Sequence, residues 1–175
     1  MTLHIVGSND NFGRTPEMDA EHRERKAANI AWLRKAFSEA RASNSHGLAL
    51  LTQANPNFEN YWPTGQKDTY LRMIPGARAP EKAEVTGYDE YIKILAEEME
   101  SYTRPTVFFH GDTHRFRVDQ PLFSAKNDRR FENFTRVETF GSPDTHWIRV
   151  AVDPADAGVF CFKAEIIAEN VRARR

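Results

Sequence analysis

Hydrophobic positions along this 175-residue chain change period several times, and each change marks an element. Leu3-His4-Ile5-Val6 is a short apolar run closed by Gly7, which predicts a buried strand opening into a loop. Thr15-Pro16-Glu17 combines a capping hydroxyl, a proline suited to the first helical position and an acid in the first turn. A helix is therefore predicted over 16–42. Ile30, Leu33, Phe37 and Ala40 form its inner stripe, leaving Arg23, Arg25, Lys26, Arg34 and Lys35 mostly to solvent. Gly47 to Thr52 is apolar without alternation, the pattern of a strand covered on both faces.

The stretch 55–86 has no clear period and is rich in Pro, Gly, Asn and aromatics, so it predicts a long loop insertion. Phe58, Tyr61, Trp62 and Tyr70 within it are expected to form a small core that pins the loop, with an aromatic substrate wall as the alternative. Thr86 followed three residues on by Asp89 opens a second helix with Tyr88, Ile92, Leu95 and Met99 on its inner face. Pro105 to Phe109 is a third strand. Four strand-like runs follow, at 116–118, 134–140, 147–152 and 159–167, the last two read as a hairpin. The order β-α-β-α-β followed by antiparallel strands predicts a single α/β domain over 1–175.

Composition narrows the function. With 40% hydrophobic residues in discrete clusters, a packed core is expected rather than disorder. A net charge of -1 argues against a general nucleic-acid binder, and Arg172, Arg174 and Arg175 read as a frayed basic end. Cys161 is the single cysteine, which excludes an internal disulfide and a thiolate metal cluster; between Phe160 and Phe162 it is expected to be buried. No apolar run approaches the ~20 residues of a membrane span, and the first residues lack the basic and apolar regions of a leader. No membrane partner is expected, and the chain as written reads as cytoplasmic. Of the remaining histidines, His4 is expected in a core or interface, while His22 and His46 are expected to be exposed.

Reactive groups in open α/β sheets gather at the carboxyl ends of strands, and three such ends here are polar. They read Gly7-Ser8-Asn9-Asp10-Asn11, Gln53-Ala54-Asn55 and His110-Gly111-Asp112-Thr113-His114. His110 is expected to be structural, and the three tips are expected to bring His114, Asp112, Gln53 and Asp10 around one pocket.

In that order, the clusters resemble signatures of the calcineurin-like metallophosphoesterases. Gly111-Asp112-Thr113-His114 resembles their Gly-His-x-His, Gly7 to Asp10 their Gly-Asn-His-Asp/Glu, and Leu51-Thr52-Gln53 their strand ending in a metal-binding His. The resemblance runs from about Leu3 to Ile167. It implies a β-sandwich flanked by helices, with two ions (Mn, Fe or Zn) sharing a hydroxide that attacks a phosphoester. It also implies metal ligation by His114, Asp112, Gln53 and Ser8, catalytic positions at Asn9 and Asp10, and substrate contacts from Asn55 and Arg115, with Arg117 a further phosphate neutraliser.

The departures are as specific as the matches. Asp112 and Gln53 stand where the family has His, Ser8 replaces the ligand Asn, and Asn9 replaces a His that assists the leaving group. The family's opening Asp-x-His and Gly-Asp-x-x-Asp are absent before Leu3, and Asp144-Thr145-His146 comes too late to supply them. The expectation is thus a divergent C-terminal portion of such a domain, truncated at its N-terminus and with little catalysis of its own. The alternative is a non-catalytic binding or interaction module. An unpaired sheet edge would favour a homo-oligomer in either case.

Overall fold

The computed structural model describes residues 1–66, 86–143 and 145–171. Tyr70 and most of the predicted long loop, Asp144, and the basic C-terminal arginines lie outside the described residues. Thr15 caps helix α1 (Pro16–Ala42) by accepting from the Met18 amide at 3.2 Å, and the helix buries Leu33, Phe37 and Ala40 as its stripe predicts. Strand β1 (Leu48–Leu51) follows, then a 3-10 turn (Phe58–Tyr61), helix α2 (Asp89–Met99) and strand β2 (Thr106–His110). Thr86 and Asp89 bond reciprocally before α2, whose Ile92, Leu95 and Met99 are buried together with Tyr88. β1 and β2 are parallel, with Leu50 opposite Phe108.

The fold is mixed α/β, and its sheet departs from expectation in one place. β3 (Arg117–Asp119) lies antiparallel at the edge, whereas β4 (Phe134–Glu138) inserts between β2 and β3 and runs parallel to β2. The run after β2 is therefore not wholly antiparallel. Burial gives the reason: Phe134, Arg136, Val137 and Glu138 are fully buried and require an interior position, while three-residue β3 leaves Val118 exposed and suits an edge.

Leu3 and Ile5 are buried as expected, but 3–6 forms no ladder strand. A parallel bridge at Thr2 and Leu51, and amide bonds from Leu3 to the Leu51 carbonyl (2.8 Å) and from Ala54 to that of Ile5 (3.2 Å), fasten the segment beside β1.

Strands β5 (Trp147–Val152) and β6 (Phe160–Glu165) form the expected antiparallel hairpin. Phe162 meets Phe109 edge-on at 5.9 Å, and Phe160 lies so close to Gly47 that a Cβ there would stand 2.7 Å from its ring. Alternation turns Cys161 to the opposite face, where it is exposed, contrary to the expectation of burial. Trp147 and Val152 are also exposed. Phe58 joins the main core through T-shaped contact with Phe108 at 5.4 Å, so it is no separate loop core. Burying a Phe in this way contributes about 2–3 kcal/mol. Among the described residues, no helix is long and apolar enough to cross a membrane.

Candidate strand-end site

Because the N-terminal segment, β1 and β2 run in the same direction, their carboxyl ends meet. Gln53 Oε1 accepts the Gly7 amide at 2.6 Å, and the Gly111 amide donates to the Gln53 carbonyl at 3.1 Å. The Asn55 amide donates to Asp112 Oδ2 at 3.2 Å. A Cβ on Gly7 would lie 3.1 Å from Asp112 Oδ1 and 3.3 Å from Gln53 Oε1, so the glycine leaves a cradle in which two oxygen donors stand side by side. Both donor residues are exposed. Of the four residues expected around one pocket, the contacts bring Gln53 and Asp112 together beside Gly7, with the Asn55 backbone joined to Asp112, while His114 packs against Gly141.

Asp10 stands apart. Ser8, Asn9, Asp10 and Asn11 all have left-handed backbones, with φ of 56°, 62°, 55° and 65°. Each such L-residue costs roughly 1–2 kcal/mol, so the turn needs an anchor. Asp10, at 0% exposure, is that anchor rather than a group facing the pocket. Its carboxylate accepts the Val6 amide (3.0 Å) and the Tyr91 hydroxyl (3.1 Å), lies 3.0 Å from His22 Nδ1, and is paired with Arg25. Its own amide donates to the Tyr88 hydroxyl at 3.3 Å, which in turn donates to the Val6 carbonyl at 3.0 Å. Glu21 and then Asp10 hold the Arg25 guanidinium above its ordinary pKa, and Arg25 draws exposed Glu21 down to about 2. Burial raises Tyr91, and the charge of Asp10 adds to the shift.

This network overturns two smaller expectations and narrows a third. His22 is buried, Arg25 is largely withdrawn from solvent, and His4 is exposed, hence outside the core, with its carbonyl bonded to Asn29 and Arg25. A signal was present in the sequence: His22, Arg25 and Asn29 continue the Leu33 and Phe37 stripe at helical spacing, as a polar extension of the buried face.

Asn9 is likewise committed to structure. Its Oδ1 accepts the Gly87 amide at 2.8 Å and its Nδ2 donates to the Phe12 carbonyl at 3.0 Å. Asn55 is buried, and its Oδ1 accepts the Asn57 amide at 3.0 Å, so only its backbone reaches toward Asp112. Ser8 and Arg115 are exposed. Arg117 is not a free phosphate neutraliser, because it pairs with Glu59 and Glu138, each at 2.7 Å.

His114 is exposed, left-handed (φ 63°) and packed against Gly141. Its Nδ1 lies 2.6 Å from the Ser142 carbonyl. A carbonyl only accepts, so in the neutral ring Nδ1 carries the proton and Nε2 the lone pair, the tautomer suited to a metal. His110 is buried. Burial holds its pKa low despite the Gly111 carbonyl and the charge of Glu138, and its Nε2 has no hydrogen-bond partner among the described residues.

Among the described residues, no three His, Cys, Asp or Glu side chains form a group able to hold a metal ion. Asp112 Oδ1 and Gln53 Oε1 are oxygen donors of the chemical type that hard or borderline cations take. A two-ion centre needs a bridging carboxylate, and Asp10, the nearest acid in sequence to Gly7, is sealed beneath the surface. An apolar cavity of about 350 Å³ lies elsewhere, between α2 and residues 123–128. No family model, curated protein or solved structure matches the chain.

Proposed function

We propose that the strand-end cluster is a divergent phosphoester-processing site of the metallophosphoesterase type, to which this chain contributes Asp112, Gln53 and His114. One observation carries the reading: the shared oxygen cradle at Gly7, built by side chains from successive strand ends. Asp112 Oδ1 and Gln53 Oε1 would hold a divalent ion such as Mn²⁺ or Zn²⁺, with Nε2 of His114 as the nitrogen donor from the same loop. When bound, that ion supplies Lewis-acid stabilisation of phosphoryl charge and acidifies a coordinated water.

The chain's own residues set the limits of this chemistry. Exposed Arg115 is available to a phosphoryl oxygen. Asn9 cannot transfer a proton and is fastened to Gly87, so the leaving group must take its proton from solvent. Aryl phosphoesters, whose leaving groups need little protonation, are therefore the favoured substrates. Two-ion chemistry would require further ligands, a bridging carboxylate above all.

The test is calorimetric titration of the purified chain with Mn²⁺ and Zn²⁺, beside hydrolysis of p-nitrophenyl phosphate and its bis ester. Saturable binding lost in Asp112→Asn, with measurable turnover, supports the reading. Absence of both sinks it.

A second reading, a non-catalytic binding module, is favoured by one specific observation. Gln53 Oε1 and Asp112 Oδ2 already accept backbone amides and are satisfied without a cation. Metal binding without turnover on either ester would select it. The exposed Trp147 on the Cys161 face of the hairpin gives this reading a self-association surface, which light scattering of the eluted protein would detect as a dimer.

A further inference from the structure

Beneath the two donor loops lies a connected series of charges that the proposed chemistry does not use. Glu138, the last residue of β4, is fully buried and stands opposite His110 at the end of β2. Its Oε1 accepts the Thr113 hydroxyl, and its Oε2 accepts Arg117 Nε at 3.1 Å and Nη2 at 2.7 Å. Arg117 Nη1 donates to Glu59 at 2.7 Å in the turn that follows Asn55. Glu59 is shared with Arg136 at 2.9 Å, and fully buried Arg136 is held by Asp119 at 2.7 Å and 2.5 Å.

Thr113 therefore ties one wall of the site to the other. It sits between Asp112 and His114, whose φ values of 81° and 63° are both left-handed. Neither residue has a glycine's freedom to hold such a backbone, so something outside the loop must stabilise it. The backbone bonds available are few: Gly111 to the Gln53 carbonyl at 3.1 Å, Thr113 to the Gly111 carbonyl at 3.2 Å, and Thr139 to the His110 carbonyl at 2.9 Å. The Thr113 hydroxyl is the side chain of the loop that is drawn down to a buried anion. The bond fixes the Thr113 hydroxyl on Glu138 at a point where Asp112 and His114, one residue to either side, are exposed to solvent.

We infer that Glu138 is a positioning residue for the donor loop: through the Thr113 hydroxyl it sets the orientation of Asp112 and His114, and through Arg117 it couples that loop to the Asn55–Glu59 wall. The inference rests on the reading of Asp112 and His114 as ligands for its consequence in metal affinity, but not for its consequence in the loop itself. Breaking a hydrogen bond to a buried charge destabilises the state that contains it, and here that state is local.

The experiment compares wild type with Thr113→Val, which keeps the shape and loses the hydroxyl, and Thr113→Ser, which keeps the hydroxyl. Backbone amide exchange is followed at residues 111–115 in metal-free protein, with the β2 amides as an internal reference for global stability. Thr113→Val should speed exchange in 111–115 on the order of tenfold while β2 stays protected, and Thr113→Ser should restore the wild-type rates. Mn²⁺ affinity should fall about tenfold in Thr113→Val and recover in Thr113→Ser. Equal exchange in wild type and Thr113→Val, or a loss that serine does not rescue, overturns the inference. Wild type that binds no Mn²⁺ overturns the ligand reading instead, because the exchange comparison is made without metal.

Discussion

The backbone amide of Asn55 donates to Oδ2 of Asp112 at 3.2 Å, joining loops 57 residues apart in sequence. The bond leaves Oδ1 of the same carboxylate at the Gly7 cradle, beside Gln53. One oxygen thus fixes the side chain while the other is presented, the division of labour that a ligand carboxylate requires.

Disturbing the cradle should affect binding before stability. In Gly7→Ala, the new methyl meets the ends of two flexible side chains rather than backbone. Stability should change by less than about 1 kcal/mol. Mn²⁺ affinity, read by titration calorimetry, should drop about tenfold as Asp112 and Gln53 are pushed apart. Asp112→Asn should remove binding without unfolding the protein.

Asp10 should behave in the opposite way. Asp10→Asn takes the counter-charge from Arg25 in a fully buried setting, at a cost of about 3 kcal/mol. Urea unfolding should show a lowered midpoint with an unchanged slope. Ser8→Ala, at an exposed position in the same turn, should leave the midpoint where it is.

Gly87 is required by close approach. A Cβ there would lie 2.3 Å from the Asn9 carbonyl oxygen, a backbone atom held by the left-handed turn. Gly87→Ala should therefore destabilise by about 3 kcal/mol, measured by thermal or urea unfolding. The damage should appear first as faster amide exchange across 8–12.

Acid should weaken the fold through Glu59. Burial raises its carboxyl, but the hydrogen bond and charge of Arg136, with Arg117, outweigh this and hold it below the ordinary 4.5. A depressed folded pKa means that the stabilisation is complete above the unfolded value and is lost as pH falls through the folded one. Unfolding free energy should thus decline as pH drops below about 4.5. Glu59→Gln should flatten that decline and cost about 3 kcal/mol at neutral pH, since Arg136 loses a partner while fully buried. Urea titrations from neutral to about pH 3 measure both effects.

The sequence by itself determined the elements whose signals are local. Thr15-Pro16 and the stripe through Leu33 and Phe37 predicted α1 over the residues it occupies, and unalternating apolar runs located β1 and β2. It also indicated which loops share an end of the sheet, because parallel strands linked by helices all point one way. Only the tertiary structure decided that β4 lies inside β3, that Cys161 faces outward, and that Asp10, His22 and Arg25 form an internal anchor while Asp112 and Gln53 stay at the surface. These outcomes depend on what covers each face. A carboxylate's environment is set by groups such as Arg25 and Tyr91, brought to it from distant elements, and periodicity along the chain does not encode that proximity.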